Sequence, residues 1–314
     1  MYMRRDGEFP LRVVPNSTDL VPSRPAGSLA RVRRRLGRGI EAVLQRAARR
    51  YVVGDRPEQA IDVARDLRDR QILSTVGYWN ADSESPERVA TTYLSLLDFL
   101  APAGLDAYVS VKAPALQYDR LLTGRIVCQA DNLRVHFDAH EPDTADLTFA
   151  LVADLTRTHP GATLGLTLPA RWRRSLRDAE LAIHWRTPVR IVRGQWEGDD
   201  HPSWQQGFLG LVDRLAGRAR SVSIASHNVP LAREALRQLR AAGTPCDLEL
   251  LYGLPVAASL AMARDEDVPV RVYVPYGHAF LPYALHQILR NPRIVFWLLR
   301  DLATGRSFRA SDLR

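Results

Sequence analysis

The chain has 314 residues, 46% hydrophobic and 25% charged, which suits a soluble globular protein of one large or two small domains. That composition excludes a collagen-like chain, a disulfide scaffold and a wholly disordered protein, and no run of about 18 apolar residues suggests a transmembrane helix. The net charge of +8 lies entirely in residues 1–50, where twelve arginines face four acids; the neutral remainder argues against an extended phosphate-binding face and against nucleic acid as partner.

Residues 1–27, rich in Pro and Ser and carrying Arg4 and Arg5, read as a disordered basic tail. They lack the apolar core of a secretory signal, and the two cysteines, Cys128 and Cys246, suit a reducing compartment. A cytoplasmic protein is expected, with the basic arm offering a peripheral contact to the inner face of a membrane. Residues 28–70 form a helical arm. Its first helix, over 28–50, places Leu36, Ile40, Val43 and Leu44 on one face; its second starts at Pro57 and repeats the spacing with Ala60, Ile61, Ala64 and Leu67.

From residue 71 to 303 short β-rich runs alternate with helical stretches. The runs are 72–78, 107–112, 133–138, 163–168, 189–193, 221–226, 246–251 and 270–274. Helical patterns fill 86–100, 145–158, 175–184, 204–216, 229–242 and 256–265. Eight strands alternating with helices predict an α/β protein, a (β/α)8 TIM-type barrel. The third connection, 116–131, reads as a poor helix broken by Gly124. Two helices after the last strand and a polar tail over 304–314 complete the chain. Gly37 and Gly39 sit inside the basic helix, so no dinucleotide fingerprint follows a strand.

In such a barrel the chemistry sits where strands end. Those ends present Tyr78, Lys112, Asp138, Arg193, Ser226-His227-Asn228, Tyr252 and Tyr276. Arginine outnumbers lysine 42 to 1, and the single lysine, Lys112, falls on a strand end. A lysine there pairs with a substrate acid, acts as a base, or forms a Schiff base with Asp138 or Glu249 as proton carrier. His136 and His140 read as one buried and one exposed histidine rather than metal ligands. Ser226 and His227 are adjacent, so they point to opposite sides and build no triad.

Several segments then resemble, in chain order, the proline dehydrogenases, FAD-dependent (β/α)8-barrel enzymes. They are Tyr51-Val-Val-Gly-Asp55, Ser110-Val-Lys112, Phe137-Asp-Ala-His-Glu141, Arg190-Ile-Val-Arg-Gly194 with Trp196-Glu197, Ser226-His227-Asn228, Leu251-Tyr-Gly253 and Arg271-Val-Tyr-Val-Pro-Tyr-Gly277. The resemblance implies noncovalent FAD at the strand ends and hydride transfer from a carbon beside nitrogen to flavin N5. It places Arg190 near the flavin ring, Val192, Arg193 and Gly194 along ring and phosphates, and Trp196 stacked on the cofactor. Ser226, His227 and Asn228 would hold the ribityl or diphosphate, with Asp138 beside the cofactor. Lys112 and Tyr273 would face the substrate, with Leu251 above it.

Departures from the family pattern bear on the substrate. The arginine pair of the substrate helix is His286-Gln287 here, and the following glutamate is Arg290. Thr-Leu-Asp on the first strand is Thr75-Val76-Gly77, which removes an acid beside the lysine. A glutamine at the end of the fourth strand is Pro169. Without a guanidinium fork for a carboxylate, the expected reaction is oxidation of an amine or imino compound other than plain proline, with His286 and Gln287 touching a less charged group. A quinone or dioxygen would take the electrons. The competing readings are a barrel that has lost flavin and serves as a binding partner, and a Lys112 Schiff-base lyase.

Overall fold

The computed structural model describes residues 52–277. The tail over 1–27, the first helix of the arm, the helices after strand eight with His286 and Gln287, and the tail over 304–314 lie outside the described residues.

Eight parallel strands close into a barrel in chain order. They are β1 Leu73–Trp79, β2 Ala107–Val111, β3 Val135–Phe137, β4 Leu164–Pro169, β5 Val189–Val192, β6 Val222–Ala225, β7 Cys246–Leu251 and β8 Val270–Gly277. β8 pairs back on β1, with Tyr273 opposite Thr75. The helices are α1 Pro57–Arg68, α2 Pro86–Leu100, α3 Arg120–Ala130, α4 Ala145–Thr158, α5 Ser175–His184, α6 Trp204–Leu215, α7 Val229–Ala241 and α8 Ala257–Asp265. Among the described residues no helix is long and apolar enough to cross a membrane.

The alternation of each strand explains both layers of the molecule. One set of alternate residues is branched and apolar: Val109 and Val111, Leu164 and Leu166, Leu248 and Leu250, Val272 and Val274 are all buried. They meet the apolar stripes of the helices, such as Ala60, Ile61, Ala64 and Leu67 of α1 and Val89, Tyr93, Leu96 and Leu97 of α2. Each of the valines, leucines and isoleucines among them contributes about 1.5–3 kcal/mol on leaving water. The other set is polar. Tyr108, Ser110, His136, Thr167, Arg190 and Glu249 are buried and bond to one another across the barrel, and buried Arg271 lies over the Tyr108 ring. Most barrels fill this space with aliphatic layers; here arginines and carboxylates fill it. Arg271, for instance, pairs with Asp247 at 2.9 Å and donates to the carbonyl of Ser74 at 2.7 Å.

Before α1, Val53 donates to the carbonyl of Pro275, and Gly277 donates to the carbonyl of Gly54. The entry segment is thus tied to the end of β8.

The third connection differs from expectation. α3 runs unbroken through Gly124. Asp119 caps it by accepting from the Leu122 amide at 2.8 Å, and buried Gly124 leaves just enough room for the His159 ring, 3.4 Å from where a Cβ would stand. A mid-helix glycine costs about 1 kcal/mol, which the cap and the buried face of Ile126, Val127 and Ala130 offset. Asp119→Ala is expected to lower unfolding free energy by about 1 kcal/mol in denaturant melts; an unchanged midpoint would show that the cap does not hold this helix.

Candidate active site

The C-terminal mouth of the barrel gathers one polar cluster from five strands. Arg190 on β5 is its centre and is fully engaged. Its Nε donates to Glu249 of β7 at 3.1 Å, and its Nη1 to Asp138 at 2.6 Å, to Ser110 Oγ at 3.3 Å and to Thr167 Oγ1 at 3.4 Å. Its Nη2 reaches Tyr108 Oη at 3.2 Å and Glu249 Oε1 at 3.1 Å. Burial alone would lower the pKa of this guanidinium, but Glu249, Tyr108, Asp138 and Tyr273 together hold it well above the ordinary value. A buried arginine is tolerated because both of its carboxylates and all of its donors are satisfied.

Asp138, just past β3, joins this cluster to the outer groups. It accepts from Ser110 Oγ at 2.7 Å and from the phenol of Tyr273 at 3.3 Å. The Tyr273 ring lies 5.3 Å from the Arg190 guanidinium. Burial, with Asp138 adding to it, raises the Tyr273 phenol well above its ordinary pKa, so it stays a neutral donor.

Lys112 follows β2, its ammonium 5.2 Å from the Trp79 ring centre. The strand end beneath it is clamped by Tyr93 of α2, whose hydroxyl donates to the Ser110 carbonyl and accepts from the Lys112 amide, both at 3.3 Å. Burial pushes the ammonium down to about 8, while Asp138 and Asp82 act in the opposite direction. Gly77 leaves no carboxylate at that point of β1, and the acids that bear on Lys112 are Asp138 and Asp82, the latter on the loop after β1.

The residues expected along the cofactor have more varied surroundings. Val192 ends β5, and exposed Arg193 follows it with its guanidinium 5.2 Å from the Trp204 ring. Gly194 has φ +94° and brings its backbone against Pro169 and Arg171. The Trp196 carbonyl accepts from Trp172 Nε1 at 2.8 Å, and Arg171 pairs with Asp200, so the loops after β4 and β5 are stitched together. Ser226 Oγ accepts from the Asn228 amide at 3.1 Å, and Asn228 caps α7 by accepting from Leu231 at 3.3 Å. His227 Nε2 accepts from the Leu251 amide at 3.0 Å, which ties the ends of β6 and β7. His136 is fully buried, with Nε2 at 3.0 Å from Thr167 Oγ1, and burial beside arginines holds it well below its ordinary pKa. Among the described residues, no group of three or more His, Cys, Asp or Glu could hold a metal ion.

Ser110, Tyr108 and Thr167 belong to the cluster and were not singled out as site residues, and Glu249 was considered only as a proton carrier for Lys112, not as a partner of Arg190. The signal was present: each is a polar residue at an alternate position of a strand whose other positions are apolar, which marks it as facing the barrel interior.

The donor set suits a flavin dinucleotide at one end and not the other. Arg193 has no carboxylate pairing with it among the described residues, and with the N-terminus of α7 it offers the positive charge a diphosphate needs. Pro169 offers no donor at all to a flavin ring.

Fold and mouth define a (β/α)8-barrel enzyme whose charged site is built from strand ends. No protein-family profile matches the chain. It is 23% identical over 281 residues to proline dehydrogenase of Deinococcus radiodurans, covering 82% of this chain and 90% of that protein. It is 20% identical over 275 residues to proline dehydrogenase 1 of Bacillus subtilis subsp. natto, covering 81% and 90%. Among solved structures, proline utilization A (PutA) of Bdellovibrio bacteriovorus inactivated by N-propargylglycine superposes with a TM-score of 0.71 at 18% identity. That match covers 86% of this chain and 35% of the PutA chain, so the chain spans about a third of that larger protein. The chain is a divergent relative of the proline dehydrogenases.

Proposed function

We propose that the chain is an FAD-dependent oxidoreductase that oxidises the C–N single bond of a small amine or imino compound to an imine. The observation that carries this reading is the convergence of Asp138, Arg190 and Tyr273 at the barrel mouth, with Asp138 accepting from both and its charge acting on Lys112. FAD, when bound, supplies the hydride acceptor, so the protein needs little acid–base machinery of its own.

The chain's residues do the rest. Arg193, Ser226 and Asn228 would hold the dinucleotide, His227 would fix the ends of β6 and β7 beside it, and Val192, Gly194 and Trp196 would line it. Arg190 holds a permanent positive charge at the mouth, aligned by Glu249 and Asp138. Lys112, as an ammonium, binds an anionic part of the substrate, and Tyr273 packs beside it as a neutral donor. These contacts orient the substrate and exclude water from the reacting bond. The substrate is not plain proline, because in the sequence His286 and Gln287 replace the arginine pair with which the resembling family would clamp its carboxylate. The electrons pass to a quinone or to dioxygen, and the basic segment 1–50 would favour a quinone by touching an anionic membrane from the cytoplasmic side.

An absorbance spectrum of the purified protein tests the cofactor. Flavin bands that bleach with a secondary amine are the expected result; a colourless protein that takes up no added FAD overturns the proposal and favours the non-flavin barrel. The substrate assignment has its own test. His286→Arg with Gln287→Arg is expected to raise kcat/KM for proline by about tenfold or more, the worth of a charge-assisted carboxylate contact. No gain in a protein that binds flavin would remove this account of proline exclusion.

A further inference from the structure

Gly77 lies near the end of β1 and is buried, and its φ is outside the left-handed region, so its backbone gives no reason for glycine. The reason is space. A Cβ on Gly77 would stand 2.5 Å from Tyr273 Cζ and 3.0 Å from Cε1, and closer still to the hydroxyl oxygen. Tyr273 pairs in register with Thr75, two residues earlier on β1. Its ring therefore leans toward the mouth and lies over Gly77. In that position the hydroxyl donates to Asp138 at 3.3 Å, and the Arg190 guanidinium is 5.3 Å from the ring. The overlap takes in the hydroxyl, the ring carbon that bears it and the next ring carbon, so a side chain at 77 must displace the phenol end of Tyr273 from its bond to Asp138.

We propose that Gly77 is a positioning residue: its missing side chain is the slot in which the Tyr273 phenol lies, and this slot sets the floor of the substrate site. The inference rests on the function proposed above for the word substrate. The slot itself does not depend on it. Gly77 stands where the resembling family carries an acid, while Tyr273 belongs to a segment the chain shares with it. Here the phenol lies over Gly77 and bonds to Asp138, so at this point of β1 the substrate meets a ring and a hydroxyl and no carboxylate.

The test begins with cofactor-free protein. In the wild type, burial and Asp138 keep the Tyr273 phenol from ionising in the ordinary range. Gly77→Ala is expected to release it, so ultraviolet difference titration shows one more phenol ionising near the ordinary value of about 10, absent from Gly77→Ala/Tyr273→Phe. A second measurement covers the case in which Gly77→Ala folds poorly. Gly77→Ala/Tyr273→Ala should melt with Tyr273→Ala, because the obstacle is gone. In flavin-loaded enzyme with an amine substrate, Gly77→Ala is expected to raise KM by about tenfold with a smaller change in kcat, the mark of lost ground-state positioning. A phenol that stays hidden in Gly77→Ala, or a double variant as far below Tyr273→Ala as Gly77→Ala is below wild type, overturns the slot. An unchanged KM with a released phenol overturns its role in substrate positioning. If the wild type binds no flavin, the proposed function fails, and the first two measurements still decide the slot.

Discussion

Arg190→Met is expected to destabilise the protein by about 3–5 kcal/mol, the cost of breaking a buried ion pair from one side. Methionine fills the aliphatic volume of arginine but returns nothing to Glu249, whose side chain is 2% exposed, or to Asp138, at 17%. Both carboxylates lose their guanidinium donors at once. Tyr108 Oη still donates to Glu249 at 2.7 Å, and Ser110 and Tyr273 still donate to Asp138, so the loss is large but not total. Against a typical stability of about 5–15 kcal/mol, this is the largest single-residue effect expected outside the apolar core. Arg190→Met/Glu249→Gln removes one charge of each sign and should recover most of the loss. Chemical denaturation of both variants measures the loss and its recovery. A variant within about 1 kcal/mol of wild type at neutral pH, the worth of an exposed pair, would mean that the cluster is wetter than its burial indicates.

The architecture was legible because it is written in short-range pattern. The number and order of the strands follow from alternation, and the helices over 86–100, 145–158 and 175–184 were read to the residue. α3 was misread because glycine propensity is local, whereas the Asp119 cap and the packing around Gly124 are tertiary. Lys112 stood out by its rarity and Asp138 by its place at a strand end. Neither fact reveals that Arg190, 52 residues beyond Asp138 in sequence and 59 before Glu249, binds both. Those pairings depend on how far each strand is staggered around the barrel. Asp82 was invisible for a related reason: a loop's path is set by what it packs on. Gly77 is the clearest case. In the sequence it is an acid lost; in the fold it is a volume occupied by Tyr273.

Lys112→Met is expected to separate stability from function in opposite directions. The ammonium is held at about 8 against an ordinary 10.5, chiefly by burial, with Asp138 and Asp82 only partly offsetting the cost. The unfolded chain therefore binds more protons than the native one between those values, and native stability from this group rises as pH climbs through that window. Below about pH 8 the wild type carries the full cost of a charged, partly buried lysine. Methionine has no charge to bury, so the variant should melt higher than wild type at pH 7, and the difference should close on the alkaline side. Activity should move the other way. An ammonium that pairs with a substrate anion contributes about 1.5–3 kcal/mol, so kcat/KM should fall by about 10- to 100-fold at pH 7. The ratio of wild-type to variant kcat/KM is the decisive quantity, because ionisation of the amine substrate cancels from it. That ratio should decline above about pH 8 as Lys112 loses its proton. Lys112→Arg should hold its activity on the alkaline side, since arginine does not deprotonate there. A ratio that is flat with pH would remove Lys112 from substrate binding. A ratio that rises would mark the neutral amine as the working form, the form a Schiff base requires, and borohydride reduction with a carbonyl substrate would then be expected to trap it.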